Sequence, residues 1–341
     1  MKNKLLHLAP FFGCLLLLII IMINLNSCNT ASRTKVQEVT TTQPNTSTTT
    51  TSSPTTTLGP TSGCYIGAFV NGHSNINTFE TMIGKNLAVN MWYINWDCPF
   101  PSADCDVAFN EGGVPMLTWE PHERTLESIS AGDYDPYITT FAQTAKSWEK
   151  LVYIRLAHEM NGNWYDWSGF KSGGTSGPAK YIAAWQHVHG IFQSVGATNV
   201  KFVWNPNHAS IPNETWNEAN DYYPGDSYVD WIGLDGYNWG GATWTDFDGV
   251  FGAIYTTFTS YDKPIAICEF ASAPGGTPAA KANWISDAFS KIKNNYPKIK
   301  IFCWFNINKE KDWRIDTSSE SVNAYKEAIS DAYFLETRPT E

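Results

Sequence analysis

The 341-residue sequence has few basic residues, few cysteines and no glycine-rich phosphate-binding motif. With 23 Lys and Arg against 33 Asp and Glu, its net charge is −10, which argues against nucleic acid and anionic membrane surfaces as partners. No Gly-x-Gly-x-x-Gly follows the first predicted strand, so a nucleotide cofactor has no support. No Cys or His spacing suggests a metal site, and we therefore predict neither a metal nor a cofactor.

The N-terminal part has the composition of a targeting segment followed by a linker. Residues 1–28 combine a basic start with an apolar run, as export signals do. Their last four residues, Leu-Asn-Ser-Cys, resemble a bacterial lipobox, in which Cys28 carries lipid and tethers the protein to a membrane; an ordinary secretory signal and an uncleaved anchor helix are the alternatives. Residues 29–62 are rich in Thr, Ser and Pro and should form an extended linker. We expect the rest of the chain to be extracellular, either secreted or anchored at the cell surface.

Five cysteines follow the targeting segment, an odd number that leaves at least one thiol free. Cys98 and Cys105 flank a short predicted loop, which makes them the expected disulfide of an exported chain. Cys268 and Cys303 lie in apolar strand patterns, and we expect both to be buried thiols.

Apolar runs of strand length recur after residue 63, and amphipathic segments separate most of them. The strand candidates are 65–70, 87–93, 114–119, 151–157, 200–204, 228–234, 264–268 and 299–305, and the clearest helix candidates are 137–148, 179–195, 247–260 and 279–293. Eight strands alternating with helices favour a (β/α)8 TIM barrel over a doubly wound sheet. We predict this barrel over residues 63–335, with a short tail at 336–341.

Aromatic residues and carboxylates follow most of the predicted strands. In a (β/α)8 barrel the strand C-terminal ends form the active-site face. Aromatic faces stack on sugar rings, and a pair of carboxylates can hydrolyse a glycosidic bond. The pattern predicts a sugar-lined groove in which Glu159, after strand four, and Glu269, after strand seven, face each other. Glu120, Glu123 and Asp235 are competing carboxylates, each of which could instead hold a sugar hydroxyl or an arginine.

Other interpretations of these residues stay open. Arg155 and Glu159 could form a structural salt bridge at a strand end, with core aromatics around it. The chain could also be a non-catalytic carbohydrate-binding protein that keeps the groove, or a structural surface protein. The separation of Glu159 and Glu269 would distinguish retention, at about 5–5.5 Å, from inversion, at about 6.5–9.5 Å.

Two motifs carry a resemblance to a known family. The run His-Glu-Met-Asn-Gly-Asn-Trp at 158–164, together with Ile-Cys-Glu-Phe-Ala at 267–271, resembles glycoside hydrolase family 26, and the likeness extends over residues 63–332. The resemblance implies a (β/α)8 fold, a retaining mechanism and endo-acting cleavage of plant β-glycans. It also implies that Glu159 is the acid/base and Glu269 the nucleophile.

The same resemblance implies supporting roles around the two carboxylates. His158 would orient or tune the acid, and Tyr237 would hydrogen-bond the nucleophile and keep it ionised. Trp304 would form the platform under the sugar in subsite −1, and Trp164 and Tyr165 would line the adjoining subsites. The strand ends add four further predicted substrate contacts, which are Trp119, Asn207, Asp235 and Trp239.

The substrate prediction rests on the residues that follow the acid. Most of the family are β-1,4-mannanases with Trp-Phe-Trp-Trp or a close variant, whereas this chain has Trp-Tyr-Asp-Trp at 164–167. Segments 118–121, 223–226, 235–240 and 309–315 are more similar to the mixed-linkage β-glucanases of the family. We predict a monomeric enzyme with mannan first, on the family majority, and mixed-linkage β-glucan second.

Overall fold

The computed structural model describes residues 59–60 and 62–339. The predicted targeting segment with Cys28, and nearly all of the predicted linker, lie outside the described residues. The strands are β1 (Cys64–Phe69), β2 (Val89–Asn95), β3 (Val114–Glu120), β4 (Val152–Leu156), β5 (Val200–Trp204), β6 (Trp231–Asn238), β7 (Ile265–Ser272), β8 (Ile299–Phe305) and β9 (Phe334–Leu335). The α-helices are α1 (Ile76–Ile83), α2 (Ser102–Asn110), α3 (Leu126–Ser130), α4 (Asp135–Trp148), α5 (Gly177–Val195), α6 (Phe247–Phe258), α7 (Pro278–Asn294) and α8 (Ser319–Ile329).

Strands β1 to β8 are parallel and close into a barrel, because β1 pairs with both β2 and β8. The two-residue β9 pairs with β1 on the outside of this ring. An α-helix follows each strand of the ring except β5, which is followed by short 3-10 turns between residues 215 and 228, and the predicted (β/α)8 barrel is confirmed. None of the helices in the described part of the chain is long and apolar enough to cross a membrane.

Two strands extend further at their C-terminal ends than predicted. Strand β6 starts at Trp231 and continues to Asn238, and β7 continues to Ser272. After a register shift between Leu234 and Asp235, Asp235 pairs with Glu269, so the ladder continues through both carboxylates instead of ending before them. The prediction ended the two strands just before Asp235 and Glu269, but a barrel mouth can bury these charges where it also supplies a cation.

The predicted Cys98–Cys105 disulfide is wrong. Cys105 is a free thiol and lies fully buried in α2, packed into the core. Cys98 is disulfide-bonded, but Cys105 is not its partner. Cys268 and Cys303 are buried free thiols, as predicted, and burial raises the pKa of each.

Candidate active site

A buried arginine lies at the centre of the strand C-terminal ends. Arg155 of β4 is fully buried, and its Nη1 donates to both carboxylate oxygens of Asp235, at 2.9 and 2.8 Å. Its Nη2 donates to Glu269 Oε1, and its Nε donates to Thr118 Oγ1 at 2.9 Å. Arg155 therefore pairs with Asp235 and Glu269, and the alternative in which it pairs with Glu159 is not observed. Burial raises the pKa of Asp235, and the charge of Arg155 opposes that shift.

Three donors converge on Glu269. Besides Arg155, the hydroxyl of Tyr237 donates to Oε2 at 2.5 Å and the hydroxyl of Tyr93 donates to Oε1. Burial favours the neutral acid, but the charge of Arg155 and these hydrogen bonds outweigh it, so the pKa of Glu269 is lowered. Tyr237 makes the contact that the sequence predicted. Tyr93 in β2 was not assigned to Glu269, because nothing local in the sequence joins residues 176 positions apart.

Glu159 has the opposite environment. It is 8% exposed, and its Oε2 accepts one hydrogen bond, from Trp164 Nε1 at 2.8 Å. Burial and then the negative charge of Glu269 raise the pKa of Glu159 to about 8, although the bond from Trp164 acts in the other direction. At neutral pH Glu159 is therefore mostly protonated, whereas Glu269 is ionised. Two carboxyl groups in one site thus hold different protonation states, as acid/base and nucleophile pairs require.

The backbone that carries Glu159 is held in an uncommon conformation. Ala157 and Glu159 both have positive φ, at 45° and 52°, which costs of order 1–3 kcal/mol each for residues with a side chain. The amide of Glu159 donates to Asn205 O at 2.7 Å, and Trp167 Nε1 donates to His158 O at 2.6 Å. These bonds fix the turn after β4 and direct the Glu159 side chain into the mouth of the barrel.

His158 is buried beside Glu269. Its Nε2 lies 3.9 Å from Glu269 Oε1, and neither ring nitrogen has a hydrogen-bond partner among the described residues. Burial and the charge of Arg155 lower the pKa of His158 well below its ordinary value, so the ring is neutral. Ligand atoms of His158, Asp235 and Glu269 lie within 4.8 Å of one another, which is close enough for a metal ion. Arg155, however, already bonds to both carboxylates of this group.

Comparison with known proteins decides the family. The sequence pattern described as Glycosyl hydrolase family 26 matches residues 96–337, which include Glu159 and Glu269. The chain belongs to glycosyl hydrolase family 26. Endoglucanase H of Acetivibrio thermocellus is 42% identical to it over 280 residues, 79% of this chain and 30% of that protein.

Two further proteins are similar to the chain, one in sequence and one in fold. Mannan endo-1,4-beta-mannosidase A and B of Caldalkalibacillus mannanilyticus is 28% identical over 181 residues, covering 50% of this chain and 32% of that protein. The chain thus spans about a third of the length of either curated relative. A solved GH26 beta-mannanase of Bacteroides ovatus matches 81% of this chain and 91% of its own with a TM-score of 0.62 at 15% identity, which supports the fold.

Three residues predicted as substrate contacts of this family 26 chain are internal. Trp119 is fully buried and stacks between Trp96 and Phe141, at centroid distances of 4.5 and 4.2 Å. Trp304 is also fully buried, and its Nε1 donates to a main-chain carbonyl at 3.0 Å. Both indoles follow the outward alternation of their strands and pack under the helices, so neither prediction holds. Asp235 is fully buried on Arg155 and is not a sugar contact.

The remaining predicted contacts lie at or near the mouth of the family 26 barrel. Trp164 is half-buried on Glu159, and Tyr165 stacks on Trp167 at 4.4 Å with an interplanar angle of 9°. Trp239 is 40% exposed. Asn207 is buried, and its side-chain amide donates to Ala209 O at 2.9 Å, so it supports a loop instead of facing the groove.

Trp313 is a residue that the sequence had not assigned to the site. Its ring centroid lies 4.7 Å from that of Tyr237, which donates to Glu269, and 5.2 Å from that of the exposed Trp239. The motif 309–315 had been noted for its similarity to β-glucanases, but its place beside Tyr237 depends on the loop after β8. The contact between Trp313 and Tyr237 could not be predicted from the sequence motif alone.

Proposed function

We propose that this chain is an endo-acting, retaining β-glycanase whose substrate is a mixed-linkage β-glucan. The observation that carries the proposal is the pair Glu159 and Glu269, one mostly protonated and the other ionised at neutral pH. Hydrolysis by a carboxyl pair needs this combination, because one group must donate a proton while the other, ionised, attacks carbon or activates water. Retention is what the membership in family 26 implies.

The two carboxyl groups act in two steps. In the first, Glu159 donates its proton to the glycosidic oxygen while the Glu269 carboxylate attacks the anomeric carbon, so that the glycosidic C–O bond breaks and a glycosyl ester forms. In the second, the Glu159 carboxylate takes a proton from water, whose oxygen attacks the same carbon and releases Glu269. Two inversions at the anomeric carbon give net retention.

The neighbouring residues maintain the two protonation states. Arg155, Tyr93 and Tyr237 stabilise the Glu269 carboxylate before attack, and its conversion to an ester removes the charge that they hold. The neutral His158 ring, whose nitrogens have no hydrogen-bond partner among residues 62–339, packs beside Glu269 with Nε2 3.9 Å from Oε1.

The choice of β-glucan rests on two observations. The 42% identical relative is named an endoglucanase, whereas the relative named a mannosidase is 28% identical over a shorter stretch. The residues after Glu159 also depart from the mannanase pattern at Tyr165 and Asp166. In the structure Tyr165 stacks on Trp167, and Asp166 accepts a hydrogen bond from the Glu123 amide at 3.1 Å. Mannan, the first prediction from the sequence, is the second candidate and is supported by the mannosidase match.

A panel of polymers tests the proposed function. We expect reducing-sugar release from barley β-glucan and lichenan at a rate at least about 100-fold above that from galactomannan, because a site that hydrogen-bonds one hydroxyl orientation rejects the other strongly. Release from galactomannan or glucomannan alone would assign the chain to mannan. Binding to any of these polymers without hydrolysis would make it a carbohydrate-binding protein.

The pH profile should depend on Trp164. Its indole N–H stabilises the Glu159 carboxylate, so Trp164→Phe should raise the pKa of Glu159 above about 8 and move the alkaline limb of kcat/KM to higher pH. Trp148→Phe is the matched control, because Trp148 Nε1 donates to Asp106 Oδ1 at 2.9 Å far from the mouth. An alkaline limb that is identical in the two variants would contradict the assignment of Glu159 as the acid.

Export is proposed from the sequence of residues 1–28. The lipobox-like end of this segment supports a membrane tether through Cys28, with the monomeric catalytic domain outside the cytoplasm. Replacing Cys28 by serine should then move the activity from the membrane fraction to the medium in a bacterial host. Activity that stays in the membrane fraction would favour an uncleaved anchor helix.

A further inference from the structure

A lysine outside the cluster around Arg155 is buried and bonds to main-chain carbonyls. Lys281 lies in the first turn of α7 and is 1% exposed. Its Nζ donates to the main-chain carbonyls of Asp312 and Arg314, at 3.1 and 2.6 Å. Among residues 62–339 no carboxylate lies within ion-pair distance of it. Burying an ammonium group is costly unless hydrogen bonds compensate it, and these two carbonyls supply that compensation. The same bonds tie the loop that contains residues 312 and 314 to α7.

The carbonyl between these two is also held by a buried donor. Trp304 Nε1 donates to Trp313 O at 3.0 Å, so three consecutive carbonyls, 312 to 314, accept from side chains of α7 and β8. The amide of Trp313 donates to Ile307 O at 2.9 Å, and the amide of Ile315 donates to Asn306 Oδ1 at 2.9 Å. The loop after β8 is therefore fixed along the backbone on both sides of Trp313.

This fixed segment presents one side chain to the active site. The ring of Trp313 is 1% exposed and contacts Tyr237, whose hydroxyl donates to Glu269, and it meets the edge of Trp239 at the rim. A shift of the 312–314 backbone would move Trp313 and, through it, both Tyr237 and Trp239. The contact chain from Lys281 thus reaches the nucleophile and the exposed rim together.

We propose that Lys281 is a positioning residue that holds Trp313 against Tyr237 and Trp239 and thereby sets the shape of the sugar subsite over Glu269. The inference rests on the proposed function, since it assigns that subsite to substrate. It also offers a physical reason for the similarity of segment 309–315 to β-glucanases, because this segment contains Trp313, whose ring packs against the proposed subsite.

The charges around Lys281 do not make it a pH switch. Asp312 is engaged by Arg314 through two hydrogen bonds, at 2.8 and 2.7 Å, and Asp316 lies 3.8 Å from Arg314. Burial lowers the pKa of Lys281 to about 7, against the raising effect of Asp312 and Asp316. A neutral amine keeps two N–H donors, so both carbonyls stay satisfied on either side of that pKa. We expect the loop to stay in place as Lys281 titrates.

The test compares two lysines with the same kind of bond. Lys298 Nζ donates to the carbonyls of Thr259 and Tyr261, at 2.7 and 2.5 Å, but it lies before β8 at the opposite end of the barrel. We expect Lys281→Met to raise KM for barley β-glucan about 10-fold with kcat changed less than about 3-fold, as loss of a binding contact does. Its acid limb should move to higher pH, because a displaced Tyr237 stabilises Glu269 less. Lys298→Met should change neither property.

Several outcomes would overturn the proposal. Kinetic constants and an acid limb equal to those of the wild type in Lys281→Met, with only thermal stability lowered, would make Lys281 a structural residue. If Lys281→Met does not fold, Lys281→Gln, which keeps an amide donor, should show a smaller change in the same direction. In a Trp313→Ala background the Lys281 substitution should have little further effect on KM, and additive effects would show that it does not act through Trp313. A wild-type protein without hydrolytic activity would instead refute the proposed function.

Discussion

Glu269→Ala is expected to lower kcat/KM on β-glucan by about 10⁴-fold or more, because no other group can form the glycosyl ester. The fold should survive the change. Arg155 bonds to two buried carboxylates, and the variant leaves it paired with Asp235 alone, so no buried cation becomes unpaired. Removing an excess negative charge should leave the melting temperature equal to, or above, that of the wild type.

Rescue of the Glu269→Ala and Glu159→Ala variants by azide would distinguish the nucleophile from a residue that is needed for activity in another role. Sodium azide can enter the space left by the Glu269 side chain and attack an activated aryl β-glycoside once, which should restore turnover and give the α-glycosyl azide. Glu159→Ala should give the β-glycosyl azide instead, because azide then intercepts the ester on Glu269. A Glu269→Ala variant that hydrolyses β-glucan at the wild-type rate would refute the assignment.

Glu120→Gln is the control among the competing carboxylates. Glu120 ends β3 and lies 3.6 Å from the His122 ring, so its loss should change kcat/KM by less than about 10-fold, as is usual for a group outside the reacting atoms. A loss as large as that of Glu269→Ala would place Glu120 in the reaction and reopen the choice of carboxylates.

The barrel was predictable because its strands are apolar on both faces. Strands β5 and β8 have the predicted bounds, since one half-buried lysine at the second position of each strand is the single break in its apolar run. The ends of β6 and β7 were not predictable in this way, because Asp235 and Glu269 continue the ladder only where Arg155 neutralises them. Arg155 belongs to a third strand, and the prediction ended both strands at these carboxylates.

The identity of the groove-lining residues was harder to predict than the presence of a groove. Trp119 and Trp304 lie at strand ends, but period-two alternation turns each away from the mouth. The neighbouring Thr118 instead faces Arg155, and Phe305 meets the ring of Tyr237 edge to face. An alternation count anchored on Arg155 would have corrected Trp119. Trp313 lies in the loop after β8, where side chains do not alternate in direction as they do along a strand, so its direction could not be predicted.

Arg155→Leu should destabilise the fold by about 3–5 kcal/mol, the cost of leaving buried charges without their partner. The variant retains Asp235, with 0% side-chain exposure, and Glu269, with 7%, and removes the guanidinium that bonds both. Arg124→Leu is the matched control: Arg124 also makes a two-pronged contact, with Asp97, but that carboxylate is 73% exposed, so the expected loss is about 0–1 kcal/mol. Urea unfolding at pH 7 measures both differences.

The pH dependence of the Arg155→Leu deficit tests its electrostatic origin. Without the guanidinium, burial raises the folded-state pKa of Asp235 and Glu269 above their unfolded values, so the fold takes up protons as the pH falls. A carboxyl group whose folded-state pKa is raised contributes more stability as the pH falls. The loss of unfolding free energy in Arg155→Leu should therefore be smaller at pH 5 than at pH 7. Adding Asp235→Asn should recover part of the lost stability at pH 7, because it removes one of the two unpaired charges. A deficit that is equal at both pH values, and unchanged in the double variant, would mean that Arg155 stabilises the barrel through packing and not through charge.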